Sequence, residues 1–319
     1  DYSQDIWEYY FGGGNSGNNK SNSYEEDAAG SGIIVDQTST ELLIVTNNHV
    51  VEGADSLKIQ FAGTESKDSV DGYIKGTDST KDVAVVAVKL KDIPSDVLKN
   101  IKKATLGDSD KVNVGEGVIA IGNALGYGQS VTTGIISAKD RKVQLENQTM
   151  TLLQTDAAIN GGNSGGALLN ASGEVIGINV AKYSSSGSSS NASVEGMGFA
   201  IPSSEAKPII SDLLEHGYVK GRPVIGISTR DVTEYMARTY SWPQGVQVME
   251  VTSENAKNAG FAQGDIITEV DGEKVTDTES LNKIKNNHNP GDVLKMTVYK
   301  YASGKTETVE VTLSEQLPN

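Results

Sequence analysis

Between residues 33 and 201 the chain is written in short β-branched runs broken by turns, with almost no helical repeat. Ile33–Val35, Leu42–Thr46, Val83–Val88, Val118–Ile121, Val131–Ser137 and Val175–Val180 are such runs. A strand this short hides little apolar surface alone, so the set must pair into a sandwich or barrel. The tract Ser184–Ser190, with Asn191-Ala192-Ser193 after it, reads as a low-complexity loop inserted in this β region.

A length of 319 residues exceeds one ordinary core and predicts about two domains. A helix closes the β region. Ser203 or Ser204 caps it, Ile209, Ile210, Leu213 and Leu214 give it one apolar face, and Gly217 stops it. Pro208 fits only near the first turn of that helix. Gly221-Arg222-Pro223 then marks a boundary, and the remainder reads as a compact α+β unit. In it Val246–Val251 and Ile266–Val270 are strands, Asp271-Gly272 a tight turn, and Glu254–Ala259 and Thr278–Asn287 helices; Val293–Tyr301 and Thr306–Leu313 form a closing hairpin. At the other end, Ile6-Trp7-Glu8-Tyr9-Tyr10-Phe11 concentrates four rings in a chain only 6% aromatic. The Gly/Ser/Asn-rich stretch 12–23 follows it and reads as a linker. The expected organisation is a leader over 1–23, a β domain over 24–218 and an α+β domain over 222–316.

Composition excludes several classes of function. The chain has no cysteine, which removes thiol catalysis, disulfides and Cys-type zinc sites together. Its three histidines, His49, His216 and His288, are far apart and form no paired metal motif, so neither a metal nor another cofactor is expected. A net charge of −15 and a pI near 4.7 argue against nucleic-acid binding, which wants a basic face. No run approaches the roughly 18 uninterrupted apolar residues of a membrane span.

The run Gly161-Gly162-Asn163-Ser164-Gly165-Gly166 is the most informative chemical feature. Serine attacks well only when a base takes its proton and a third group orients that base. Flanking glycines allow a sharp turn that can aim the N–H groups of Gly162, Asn163 and Ser164 at one oxyanion. The run also matches G-x-S-x-G, the elbow of α/β-hydrolases, but that elbow needs a helix after it and a histidine later in the chain. Here Ala167-Leu168-Leu169, Asn170-Ala171-Ser172-Gly173 and Glu174–Val180 read as strand, turn, strand. The candidate base is His49, which follows the apolar run Ile44-Val45-Thr46. The candidate carboxylate is Asp82, at the entry to Val83–Val88. His49, Asp82, Ser164 on a β background is the chymotrypsin order.

Four stretches together resemble the HtrA family of serine proteases: Thr46–Ala54, Asp82-Val83-Ala84-Val85, Thr155–Leu168 and Gly198-Phe199-Ala200-Ile201-Pro202. Gly161 departs from that pattern, since many members carry proline or another residue there. The resemblance implies a mostly-β protein, a chymotrypsin-like double β-barrel protease followed by a small α+β PDZ domain. It implies His49 as base and then acid, Asp82 as its orienter, Ser164 as nucleophile, and Gly162 and Asn163 in the oxyanion hole. Ala158 replaces an acidic pocket floor, and Ile159 and Met197 would line a pocket for modest aliphatic side chains. From Arg222 on, the chain is similar to the family's single PDZ domain. Val224, Ile225, Gly226 and Ile227 would form its carboxylate loop, and Leu281 and Ile284 the wall of its pocket. The aromatic leader resembles the segment through which members form homotrimers.

In function, the resemblance implies an endopeptidase for unfolded or misfolded protein, with C-terminal peptides bound at the PDZ domain. Its expected place is extracytoplasmic, in the periplasm or at the cell surface of a bacterium. The chain starts at Asp1 rather than Met, which predicts a trimmed form and leaves room for an upstream membrane anchor. The rival expectation is a chaperone or peptide-binding scaffold whose protease site rests inactive.

Overall fold

The computed structural model describes residues 29–123, 128–145, 148–181 and 196–317. The aromatic leader, its linker and the tract Ser184–Ser190 lie outside the described residues. The chain divides into two compact units: the first runs to Arg141 and resumes over Thr151–Leu214, and the second takes Lys142–Met150 and the chain from Glu215 on.

The first half of the first unit is an antiparallel sheet of β1 (Ile33–Gln37), β2 (Glu41–Thr46), β3 (Leu57–Ile59), β4 (Val70–Asp78) and β5 (Val83–Lys89), in the order β1-β2-β5-β4-β3. One turn of helix, α1 (Asn48–Val51), follows β2. Val83–Val88 is buried at every position, which is why it reads as an unbroken apolar run rather than an alternating one. Leu42, Ile44 and Val88 pack with Phe61 and Ile93 in one cluster; Val51 packs with Ala84 and Val86 in another. Antiparallel pairing sets Thr46 opposite Ala84. His49, three residues beyond Thr46, and Asp82, two before Ala84, therefore emerge at the same end of the sheet.

After the short helix α2 (Ser95–Asn100) come β6 (Gly117–Gly122), β7 (Ser130–Leu145), β8 (Gln148–Thr155), β9 (Ala167–Leu169), β10 (Val175–Val180) and β11 (Gly198–Pro202). They close into a barrel in the order β10-β11-β8-β7-β6-β9. Val118, Ala120, Ile136, Leu153, Leu168, Ile176 and Ala200 fill it. The hydrogen-bonded ring is complete in this half, whereas the first half is a five-stranded sheet with two edges.

Helix α3 (Ser203–His216) follows and carries Pro208 in its second turn, further inside than the sequence suggests. Its start is held from outside. Ser109 Oγ accepts the Ser204 N–H at 3.0 Å, while Ser203 Oγ accepts the Ser109 N–H at 3.1 Å and donates to Gly107 O at 2.9 Å. The capping oxygen thus comes from Ser109 rather than from Ser203 or Ser204.

The second unit pairs β12 (Pro223–Val224) with β19 (Ser314–Glu315). Its main sheet runs β13 (Ile227–Asp231), β14 (Val246–Val251), β15 (Ile266–Val270), β17 (Val293–Lys300), β18 (Lys305–Thr312), with β16 (Glu273–Lys274) paired to β15. Helices α5 (Glu254–Asn258) and α6 (Thr278–Lys285) fall where the sequence predicts them. Helix α4 (Glu234–Tyr240) is additional; Thr233 Oγ1 caps it by accepting the Met236 N–H at 3.2 Å.

Candidate active site

Asp82 sits at φ 53°, in the left-handed region that Asp tolerates better than most residues. This turns its side chain back towards α1. Oδ1 accepts the His49 N–H at 2.9 Å and Oδ2 lies 2.8 Å from His49 Nδ1. The main-chain oxygen of Asp82 accepts a bond from Asn47 Nδ2 at 2.9 Å. Asp82 is only 5% exposed, so its carboxylate meets the ring in a largely dry setting. An ionised carboxylate can only accept, so Nδ1 carries the proton and Nε2 keeps its lone pair.

Residues Asn160–Asn163 form a turn closed by the Asn163 N–H on Asn160 O at 3.0 Å. Gly162, its third residue, has φ +90°, which is the type II signature. A type I turn would rotate the Gly161–Gly162 peptide by half a revolution and reverse its N–H. Further on, Asn163 O accepts the Gly166 N–H at 2.9 Å. Because N–H and C=O oppose each other across a trans peptide, the Ser164 N–H points the other way. Among the described residues, neither the Gly162 N–H nor the Ser164 N–H has a partner. Two donors left open beside a serine suit an oxyanion.

Asn163 does not share that role. Its N–H is spent on Asn160, and its buried side chain donates from Nδ2 to Ala158 O at 3.3 Å. The expectation that Asn163 offers a main-chain donor is therefore not met: among the described residues the open N–H groups of this loop are those of Gly162 and Ser164, and Asn163 braces the loop.

The turn after Ser164 packs on the approach to His49. A Cβ on Gly165 would lie 2.1 Å from Thr46 Oγ1 and 3.1 Å from Asn47 N. The Ser164 hydroxyl accepts the Ala181 N–H at 3.0 Å. Among the described residues no hydrogen bond joins it to the His49 ring. Asp82 and His49 are thus engaged, while the Ser164 hydroxyl is turned to Ala181, just past β10.

Ile159 is 5% exposed and packs inside the barrel with Ala157 and Ala181; Met197 is half-buried. Gly198, which sequence reasoning noted only as part of a motif, lets β11 lie against this segment. A Cβ there would come within 2.6 Å of Ile159 Cγ1 and 3.0 Å of Ala157 O.

In the second unit β13 is an edge strand with α6 beside it. Gly226 has φ +82°, and its carbonyl accepts N–H groups from Thr252 at 2.8 Å and Ser253 at 3.1 Å. Among the described residues the N–H groups of Ile225 and Gly226 have no partner. Val224 is held in β12 opposite Ser314, and Ile227 opens β13 opposite Val251. Leu281 and Ile284 are 2% and 8% exposed and belong with Ile225 to the unit's core, so they back the strand–helix cleft more than they line it. Asp231 Oδ1 ties the cleft at one end, accepting the Thr278 N–H at 2.7 Å and Thr278 Oγ1 at 2.6 Å. At the other end Lys285 Nζ donates to Asn282 Oδ1 at 3.0 Å. Burial, and then the nearby Arg222 charge, lower the pKa of this amine.

Comparison with known proteins agrees with both units. Residues 30–178 match the family described as "Trypsin-like peptidase domain" and residues 223–313 the one described as "PDZ domain". "Serine protease Do-like HtrA" of Lactobacillus helveticus is 40% identical over 280 residues, 84% of this chain and 64% of the relative. "Probable periplasmic serine protease do/HhoA-like" of Haemophilus influenzae is 37% identical over 274 residues, 84% of this chain and 55% of the relative. The chain therefore spans under two thirds of the length of these curated relatives. A solved structure of the HtrA-type protease AlgW with a decapeptide shares 33% identity at a TM-score of 0.64, covering 91% of this chain and 83% of that one. With a trypsin-like unit, a PDZ unit and relatives at this level of identity, the chain belongs to the HtrA family of serine proteases.

Proposed function

We propose that this chain is a serine endopeptidase that degrades unfolded or misfolded protein. Ser164 attacks the peptide carbonyl as His49 Nε2 takes its proton. The N–H groups of Gly162 and Ser164 receive the developing oxyanion. The imidazolium, steadied by Asp82, then protonates the departing amine, and water releases the acyl group by the same steps in reverse. The observation that carries this reading is the doubly bonded Asp82–His49 pair, together with a serine loop that leaves two N–H donors open, that of Ser164 itself and that of Gly162.

The protease domain is proposed over 24–218, with Ile159 and Met197 in its substrate pocket, and the PDZ domain over 222–316. The PDZ unit would receive C-terminal peptides along β13, with the N–H groups of Ile225 and Gly226 on the carboxylate. A relative named as periplasmic supports an extracytoplasmic setting, and the decapeptide on AlgW supports peptide capture. The aromatic leader over residues 6–11 is proposed to assemble homotrimers.

Digestion of casein by the chain and by Ser164→Ala tests the reading. We expect the substitution to lower turnover about 10⁴–10⁶-fold. Equal inertness of both chains, with peptide still bound, would favour a peptide-binding scaffold instead.

A further inference from the structure

Ser31 lies just before β1 and has no part in the chemistry above. It nevertheless makes four hydrogen bonds, all to residues distant in sequence. Its N–H donates to Ser164 O at 2.7 Å, and its Oγ donates to Gly162 O at 2.7 Å. The same Oγ accepts the Asn123 N–H at 2.8 Å, and the Ser31 carbonyl accepts Thr46 Oγ1 at 2.7 Å.

Three consecutive peptide planes carry the nucleophile. The plane joining 162 to 163 is fixed at its N–H by Asn160 O and at its carbonyl by Ser31 Oγ. The plane joining 164 to 165 is fixed at its carbonyl by the Ser31 N–H and at its N–H by Asn179 O, at 3.0 Å. Between them, the plane joining 163 to 164 is held only at its carbonyl, and its N–H is the open donor of Ser164. Ser31 thus grips the planes on both sides of that donor. Since the Asn123 N–H already occupies one lone pair of Oγ, the hydroxyl hydrogen is directed onto Gly162 O.

We propose that Ser31 is a positioning residue for the oxyanion hole, holding the peptide planes around Ser164 so that the Gly162 and Ser164 N–H groups keep their aim. Thr46 extends the clamp to β2, three residues before His49, so the base and the oxyanion donors share one anchor. The inference rests on the reading of Ser164 as nucleophile.

The test compares the chain with Ser31→Ala, using a short peptide substrate, the same peptide ending in an aldehyde, and the same peptide ending in an alcohol. The aldehyde adds to the serine and forms a hemiacetal whose oxygen needs the donors; the alcohol binds without that step. We expect kcat to fall about 10–100-fold, somewhat less than on loss of a whole donor, with KM within about twofold. Aldehyde affinity should drop by the same factor as kcat/KM while alcohol affinity holds. A merely structural role would weaken aldehyde and alcohol together, and that result overturns the proposal, as does unchanged kcat and aldehyde affinity. If Ser31→Ala lacks a cooperative melting transition, Thr46→Val replaces it. It should give the same split to a smaller degree, and wild-type aldehyde affinity in it would overturn the proposal. Ser164→Ala separates the two levels: cleavage by Ser164→Ala sinks the nucleophile reading. An inert Ser164→Ala beside an unaffected Ser31→Ala sinks only the role of Ser31.

Discussion

Asp82 engages His49 at two points, with one carboxylate oxygen on the backbone N–H at 2.9 Å and the other on Nδ1 at 2.8 Å. The first bond sets where the residue sits, and the second sets which ring nitrogen carries the proton. Asp82→Asn should keep the first and invert the second. The amide NH₂ facing Nδ1 needs a lone pair there, which moves the ring proton to Nε2 and removes the base. We expect kcat to fall about 10⁴-fold with KM little changed. Steady-state kinetics on a peptide substrate measure this, and a loss under tenfold would remove Asp82 from its role.

Gly162→Ala tests the turn. At φ +90° an alanine is strained by about 1 kcal/mol or more, and a type I turn relieves it by reversing the Gly161–Gly162 peptide. One oxyanion donor is lost, which should lower kcat about 10²–10³-fold. Thermal unfolding should barely move. A variant with full activity would show that the Gly162 N–H does not serve the transition state.

The Asp82–His49 contact and the strand pattern were legible in the sequence because residue type and order carry them. Serine chemistry needs a histidine and a carboxylate, and the chain has few histidines to offer. Val83–Val88 announced a strand buried on both faces. The open N–H groups of the serine loop were legible only in part, because they are main-chain groups whose direction depends on peptide-plane orientation. Asn163 looked as suitable as Ser164 until Asn160 was seen to accept its N–H. Ser31 and Gly198 gave no signal of their own, since contacts to 162–164 and to 157–159 arise only once distant strands meet. Helix α4 did leave one: Thr233 followed by Glu234 is a cap and an acidic first turn.

Asp277 caps α6 by accepting the Ser280 N–H at 2.8 Å, and that bond lowers its pKa below 3.8. A depressed carboxylate pKa means the folded state binds fewer protons than the unfolded one. Its stabilisation is therefore full above the unfolded value of about 3.9 and is lost as pH falls through the folded one. Asp277→Ala should cost about 1 kcal/mol at pH 7, lowering the urea midpoint of the second unit by up to about 1 M. The gap between variant and parent should narrow as pH falls from the unfolded value through the folded one. Trp242 fluorescence follows this transition, and a gap constant with pH would contradict the capping account.

Lys285 holds a desolvated charge near Arg222 at the loop end of α6. Lys285→Met should stabilise the second unit by roughly 0.5 kcal/mol, a shift of about 2–4 °C for a unit this size. The sign with pH follows from the lowered pKa: the advantage is full below the folded value and fades as pH rises to about 10.4. The same variant should bind a C-terminal carboxylate several-fold more weakly, measured by titration of a labelled peptide at low salt. Unchanged peptide affinity would separate this lysine from the binding site.

The bond pair from Asp231 to Thr278 makes the PDZ cleft behave like a pair of tongs riveted at one end. Strand β13 and helix α6 cannot part at the rivet without breaking both bonds, so widening is confined to the jaws, where Ile225, Gly226 and Lys285 lie. If a peptide binds along β13 as proposed, a bulky residue would be accommodated most cheaply at its terminus and resisted further upstream. Cutting the rivet with Asp231→Ala would let the handles splay, so that choosiness is lost along the peptide before grip is lost at its end.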